Sequence, residues 1–202
     1  MTPADHRDEF IVALGHCKAL REYALEHITD PDVRALTFES ALSRGFRAYE
    51  NFVEGVFLAY MVGEPTVSGA ATARYVSPPS REHARRMLQG KARFLDWAEP
   101  TTVVERGEYF LNTEGPLSTA VVQSWNTIDW MRRMRNHVAH NSVESLGQYR
   151  KVVAAITLVD PPTPPRPGEL LQTRPRRGPF RGREVLAGLF SEIERFAESA
   201  VA

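Results

Sequence analysis

An all-α fold is predicted by three features of the sequence. Apolar residues recur at spacings of three and four over most of its length, no segment alternates in the manner of a half-buried strand, and proline clusters fall between the periodic segments. The 202 residues, 43% hydrophobic and 25% charged, have the composition of a globular chain and fit one domain spanning residues 1–202. A chain of this length buries roughly 70% of the surface that its unfolded form exposes, enough to fold without staples.

The elements follow in order. Phe10, Leu14, Cys17, Leu20, Leu25 and Ile28 mark a first helix, and Val33, Leu36, Leu42, Phe46, Tyr49, Val53, Val56 and Tyr60 a longer second one. Asp30-Pro31 separates the two, and Gly63-Glu64-Pro65 ends the second, because proline removes a donor and glycine frees the backbone. Pro78-Pro79-Ser80 places Ser80 as the N-cap of a short helix to Leu88, and Phe94, Leu95 and Trp97 supply buried aromatics before another short helix from Thr101 to Phe110.

Gly115-Pro116-Leu117-Ser118 opens the longest uninterrupted helical pattern, carried by Val121, Trp125, Ile128, Met131, Met134 and Val138. From 160 to 183, seven prolines exclude regular structure while Arg166, Arg174, Arg176, Arg177, Arg181 and Arg183 outnumber Asp160 and Glu169, which reads as an exposed basic loop. Val185, Leu186, Leu189, Phe190, Ile193, Phe196 and Ala197 then give a C-terminal helix over 184–202 that docks back on a core formed by about residues 33–158.

Bulk properties narrow the function. Lys plus Arg and Asp plus Glu are 25 each, so no global field draws the chain to polyanions and any such binding is local. The single Cys17 closes no internal disulfide and supplies no Cys-based zinc site, which points to a reducing, cytoplasmic compartment. The N-terminus lacks the basic start and apolar run of a secretory signal, and no stretch reaches the roughly 18 apolar residues of a spanning helix, so no membrane insertion is expected.

Chemistry concentrates in Arg135-Asn136-His137-Val138-Ala139-His140. An imidazole moves a proton near neutral pH, and a guanidinium holds phosphate oxygens bidentately; together they are what phosphodiester cleavage without metal requires. Arg135 and His140 are therefore the catalytic candidates, with Asn136 and His137 as supporting hydrogen-bond donors. Five helical steps turn a side chain by about 500 degrees, leaving the pair about 140 degrees apart, so an interruption is expected to bring His140 round. Asn141 with Glu144 three residues on matches a capping box that starts a new helix just after it. Asp129 stands four residues before Arg133, the spacing of a surface ion pair.

The segment from Met134 to His140 resembles the Arg-X4-His signature of the HEPN superfamily, in the form where asparagine follows the arginine and alanine precedes the histidine. The resemblance spans roughly Val33 to Val153. With Arg47-Ala48-Tyr49-Glu50-Asn51-Phe52-Val53-Glu54 and Phe94-Leu95-Asp96-Trp97, it is most like the RiboL-PSP-HEPN group. It implies a HEPN-like helical bundle with an extra N-terminal helix, a Pro/Arg-rich loop and a C-terminal helix. It also implies a homodimer whose two signatures face one another across a shared cleft.

The activity implied is a metal-independent endoribonuclease, needing no cofactor, of the toxin or antiphage-defence kind, restrained by an antitoxin or a defence-system partner. In that reading Glu50, or Glu54 on the same face, contacts the motif arginine. Arg132 and the loop residues Arg174, Arg176 and Arg177 are the candidates for contact with RNA phosphates, the alternative for the loop being that proline and arginine simply keep it extended and soluble. Some family toxins carry a tyrosine two residues after the histidine, where this chain has Ser142, so regulation by modifying that tyrosine is not implied. Two rivals stand beside it: a non-catalytic module binding RNA, nucleotide or a protein partner, and a structural zinc site at His137 and His140.

Overall fold

The structure, a computed structural model, describes residues 1–90, 95–111 and 115–202. Among the described residues it is all-α: α1 (Pro3–His27), α2 (Pro31–Met61), α3 (Arg81–Gln89), α4 (Pro100–Phe110), α5 (Pro116–Gln123), α6 (Trp125–His140), α7 (Val143–Thr157), α8 (Pro167–Gln172) and α9 (Val185–Val201). An isolated antiparallel bridge joins Arg74 and Leu111. No described helix is long and apolar enough to cross a membrane. The expected aromatic at Phe94 lies outside the described residues.

Local chemistry accounts for most of the helix ends. The Asp30 carboxylate accepts the N–H groups of Asp32 and Val33 at 2.9 and 3.0 Å, while Pro31 occupies the first turn of α2, where its missing donor costs nothing. The Ser80 hydroxyl accepts the His83 N–H at 3.1 Å, the cap expected from the sequence. Pro100 and Pro116 open α4 and α5 in the same permitted position.

Two compact units make up the described chain, and the division falls within α1, α2, α6 and α9. The first comprises residues 1–12, 48–128 and 193–202. Its core joins the rings of Phe10 and Phe52 (5.2 Å), Phe52 and Phe196 (5.9 Å), and Phe57 and Trp97 (5.2 Å), and the buried Tyr60 hydroxyl donates to the Ala200 carbonyl at 2.9 Å. The second comprises residues 13–47 and 129–192. There Phe38, Phe46, Met131, Met134, Tyr149, Leu170, Phe180 and Phe190 are all buried, and Arg21 forms a two-point ion pair with Glu184, the second contact at 2.9 Å.

Several expectations are corrected. The pattern beginning at Gly115 is not one helix and not the longest: Ser124, at φ −100 and ψ 10, separates α5 from α6, and α2 is the longest described helix. The periodicity survives the break because the Ile128 N–H still bonds the Ser124 carbonyl at 3.1 Å. Leu25, Val33 and Leu36 are exposed, since apolar spacing marks a stripe but not its edges.

The proline-rich segment is not simply an exposed loop. It contains α8, because Pro167 sits at a helix start rather than inside one, and the Glu169 carboxylate reaches back to the Arg166 N–H at 2.8 Å. Leu170 and Leu171 of this helix are fully buried. Leu170→Ala is accordingly expected to destabilise the protein by about 2–5 kcal/mol. A loop position would shift stability by no more than about 0.5 kcal/mol, and urea denaturation midpoints separate the two cases.

Candidate functional site

The six-residue motif forms the end of α6, which runs unbroken from Trp125 to His140. Asn141 follows in the left-handed region at φ 44, a conformation that asparagine tolerates better than most side chains, and its N–H closes the helix on the His137 carbonyl at 2.9 Å. The cap of α7 is Ser142 rather than Asn141. Its hydroxyl accepts the Ser145 N–H at 3.2 Å, and the Ser145 hydroxyl accepts the Ser142 N–H at 2.9 Å, so a Ser-Ser pair replaces the Asn-Glu box. The chain therefore changes direction one residue too late to rotate His140. Within one chain Arg135 and His140 keep their helical phase difference of about 140 degrees.

Each motif side chain has a distinct setting. His140, the last residue of α6, is exposed. Arg135 is half-buried, with its guanidinium carbon over the buried Phe46 ring at 5.3 Å from the centroid, a cation–π contact. Asn136 is half-buried on the same helix. Arg132, expected to meet RNA, bonds Asp129 at 2.8 Å, and Asp129 also takes Arg133 at 2.6 Å, the ion pair expected from spacing. Arg133 further donates to the Gln148 side-chain carbonyl at 2.7 Å.

His137 is only 8% exposed. Its ring stacks on Tyr149 with centroids 4.9 Å apart, and its Nδ1 lies 3.0 Å from the Ser145 hydroxyl. The ring is thus engaged from the side and on one face, in the setting of a core histidine. Among the described residues no group of three or more His, Cys, Asp or Glu side chains is arranged to hold a metal ion.

Beside His137 opens a cleft of about 250 Å³, also lined by Glu39, Val138, Asn141, Tyr149 and Pro165. Glu39 accepts the Gly168 N–H at 2.9 Å, and the Tyr149 hydroxyl donates to the Pro165 carbonyl at 2.8 Å, so both tie the proline-rich segment to the helices. Sequence reasoning missed Glu39, Ser145 and Tyr149. The Ser-X-X-Ser spacing of a cap was the one local signal, and nothing in the sequence marks Glu39.

Burial pushes the His137 imidazole below its ordinary value, and the nearby Glu39 charge only partly offsets this. His6 is lowered as well, by burial first and then by the positive charge of Arg81, whose guanidinium lies 2.9 Å from His6 Nε2. With a folded value below the unfolded 6.5, the unfolded chain binds more protons, so stability falls as pH drops beneath that point. Denaturation midpoints between about pH 5 and 8 are expected to decline on the acid side. That decline should flatten in His137→Gln, and an unchanged slope would rule out a buried neutral imidazole.

The remaining candidates are distributed over both units. Glu50 is half-buried on α2, and Glu54, one turn on, is committed to Arg85 at 2.6 Å. Arg174, Arg176 and Arg177 are exposed in the second unit. At the end of α6 the His140 side chain is exposed, and the Arg135 guanidinium lies over the Phe46 ring. Compared with known proteins, the chain matches no family model, no curated protein and no solved structure.

Proposed function

We propose that the chain is a metal-independent endoribonuclease of the HEPN kind, acting as a toxin or antiphage-defence effector. The ribose 2′-oxygen attacks the adjacent phosphorus, its proton leaves, the bond from phosphorus to the 5′-oxygen breaks, and that oxygen is protonated. A 2′,3′-cyclic phosphate and a 5′-OH result. His140 carries the proton, and Arg135 stabilises charge on the phosphate oxygens.

The observation that carries this reading is the setting of the motif: Arg135 and His140 fall in the last two turns of α6, with the imidazole exposed at the helix end. Their helical phase also supports the dimer. Side chains about 140 degrees apart on one helix do not face one substrate together, whereas a second copy across a two-fold axis supplies the missing partner.

The test is incubation of purified protein with RNA in the presence of EDTA. Chelator-resistant fragments ending in 2′,3′-cyclic phosphate are expected from the wild type and not from Arg135→Ala or His140→Ala. Intact RNA in every lane would leave the rival, a non-catalytic module, which the burial of His137 favours.

A further inference from the structure

Residues 174–183 hold five arginines and no acidic residue in a chain whose net charge is zero, so positive charge is segregated here. The segment is also held in shape. The Val185 N–H bonds the Thr173 carbonyl at 3.0 Å, pinning the two ends together, and the Gly182 N–H bonds the Pro175 carbonyl at 2.9 Å across the turn. Phe180, 2% exposed, anchors the middle and meets the Trp130 ring edge-on at 6.1 Å. Gly178 and Gly182 supply the left-handed conformations, at φ +83 and +72, and a Cβ on Gly178 would stand 2.3 Å from the Ile156 carbonyl oxygen.

On this frame the arginines divide. Arg183 approaches Glu192 at 3.8 Å and lies 6.0 Å from the Phe180 ring centroid. Arg174, Arg176, Arg177 and Arg181 are exposed, and among the described residues none of them pairs with a carboxylate. A surface that served only solubility would intersperse both signs. Here four planar forks, each suited to bidentate phosphate contact, stand on a backbone already ordered by folding, so little backbone entropy is lost on binding.

We propose that this turn is a docking surface for the phosphate backbone of single-stranded RNA, contacted by Arg174, Arg176, Arg177 and Arg181. The choice of RNA among polyanions rests on the ribonuclease reading; the surface itself does not. Each phosphate neutralised on a single strand contributes about −0.7 to the slope of log affinity against log salt, so four contacts contribute roughly −3. Bases are not read by these contacts, and the surface raises affinity uniformly across sequences.

The experiment follows fluorescence anisotropy of a short labelled single-stranded RNA from about 50 to 200 mM salt, in the His140→Ala background so that the probe stays intact. Replacing all four arginines by alanine is expected to lower affinity by about 10²–10³-fold near 0.1 M salt and to flatten the slope by roughly 3. The same four changed to lysine keep the charge and therefore most of the slope, which separates docking from damage to the turn. An alanine variant that binds RNA with the parent's affinity and slope overturns the proposal. So does a parent that ignores RNA but binds polyglutamate through these arginines. If the wild type cleaves RNA while the alanine variant binds as the parent does, docking fails and the nuclease reading stands. If docking is lost with the arginines but the wild type never cleaves, the reverse holds.

Discussion

His140→Ala is expected to lower RNA cleavage by about 10²–10⁴-fold, the range in which removing a positioned proton carrier acts. Stability should change by no more than about 1 kcal/mol, because the side chain is exposed at the end of α6. Single-turnover rates and thermal midpoints measured on one preparation separate the two effects. A similar rate loss is expected for Arg135→Lys, which keeps the charge but loses the planar fork that lies over Phe46.

Mixing gives the sharper test. Arg135→Ala and His140→Ala are each expected to be inactive alone. Co-refolded, they are expected to form mixed dimers in which one chain supplies the arginine and the other the histidine, with about half of all dimers active on simple statistics. The phase difference along α6 is what makes this pairing between chains the expected one. Failure of the mixture to recover activity, with mixed dimers demonstrably present, would refute the composite site.

The second large effect concerns stability. Glu184→Ala is expected to cost about 3–5 kcal/mol, because it leaves the Arg21 guanidinium in a largely buried position without its carboxylate. For a chain of this size that corresponds to a fall of roughly 10 °C in thermal midpoint. A guanidinium stays charged in proteins, so without Glu184 the arginine does not escape by losing its proton. The paired replacement Arg21→Met with Glu184→Leu should recover most of the loss, since well-packed apolar groups substitute for a buried ion pair with little penalty. Calorimetry on the single and double variants checks both statements, and a Glu184→Ala midpoint equal to that of the wild type would show the pair to be solvent-screened.

The arrangement of Arg21 and Glu184 also shows where reading the sequence stops. The residues are 163 positions apart, and neither carries a local mark of its partner. Ser80 was recognisable as a cap because its partner, the His83 N–H, is three residues away and formed by the same helix. Asp129 and Arg133 were recognisable as a pair for the same reason. At Asn141 and Ser142 two adjacent capping residues competed, and the outcome depended on which of them took the left-handed conformation that ends α6.

The motif divides in the same manner. Its place near the end of a late helix, with Met131 and Met134 turned inward, followed from periodicity. Whether its histidines were reactive or structural did not. His137 and His140 are alike in sequence, yet one stacks on Tyr149 beside Glu39 and the other meets solvent, because α7 and the proline-rich segment cover only the first.

By itself, then, the sequence determined the all-α class, most helix ends and the location of the candidate chemistry, since spacing, caps and proline positions act over a few residues. Tertiary structure alone decided that residues 167–172 form a buried helix, that His137 is part of the core, and that four arginines stand on a fixed turn. Those outcomes depend on burial and hydrogen bonds between segments distant in the chain, and such contacts leave no periodic trace in the amino acids that make them.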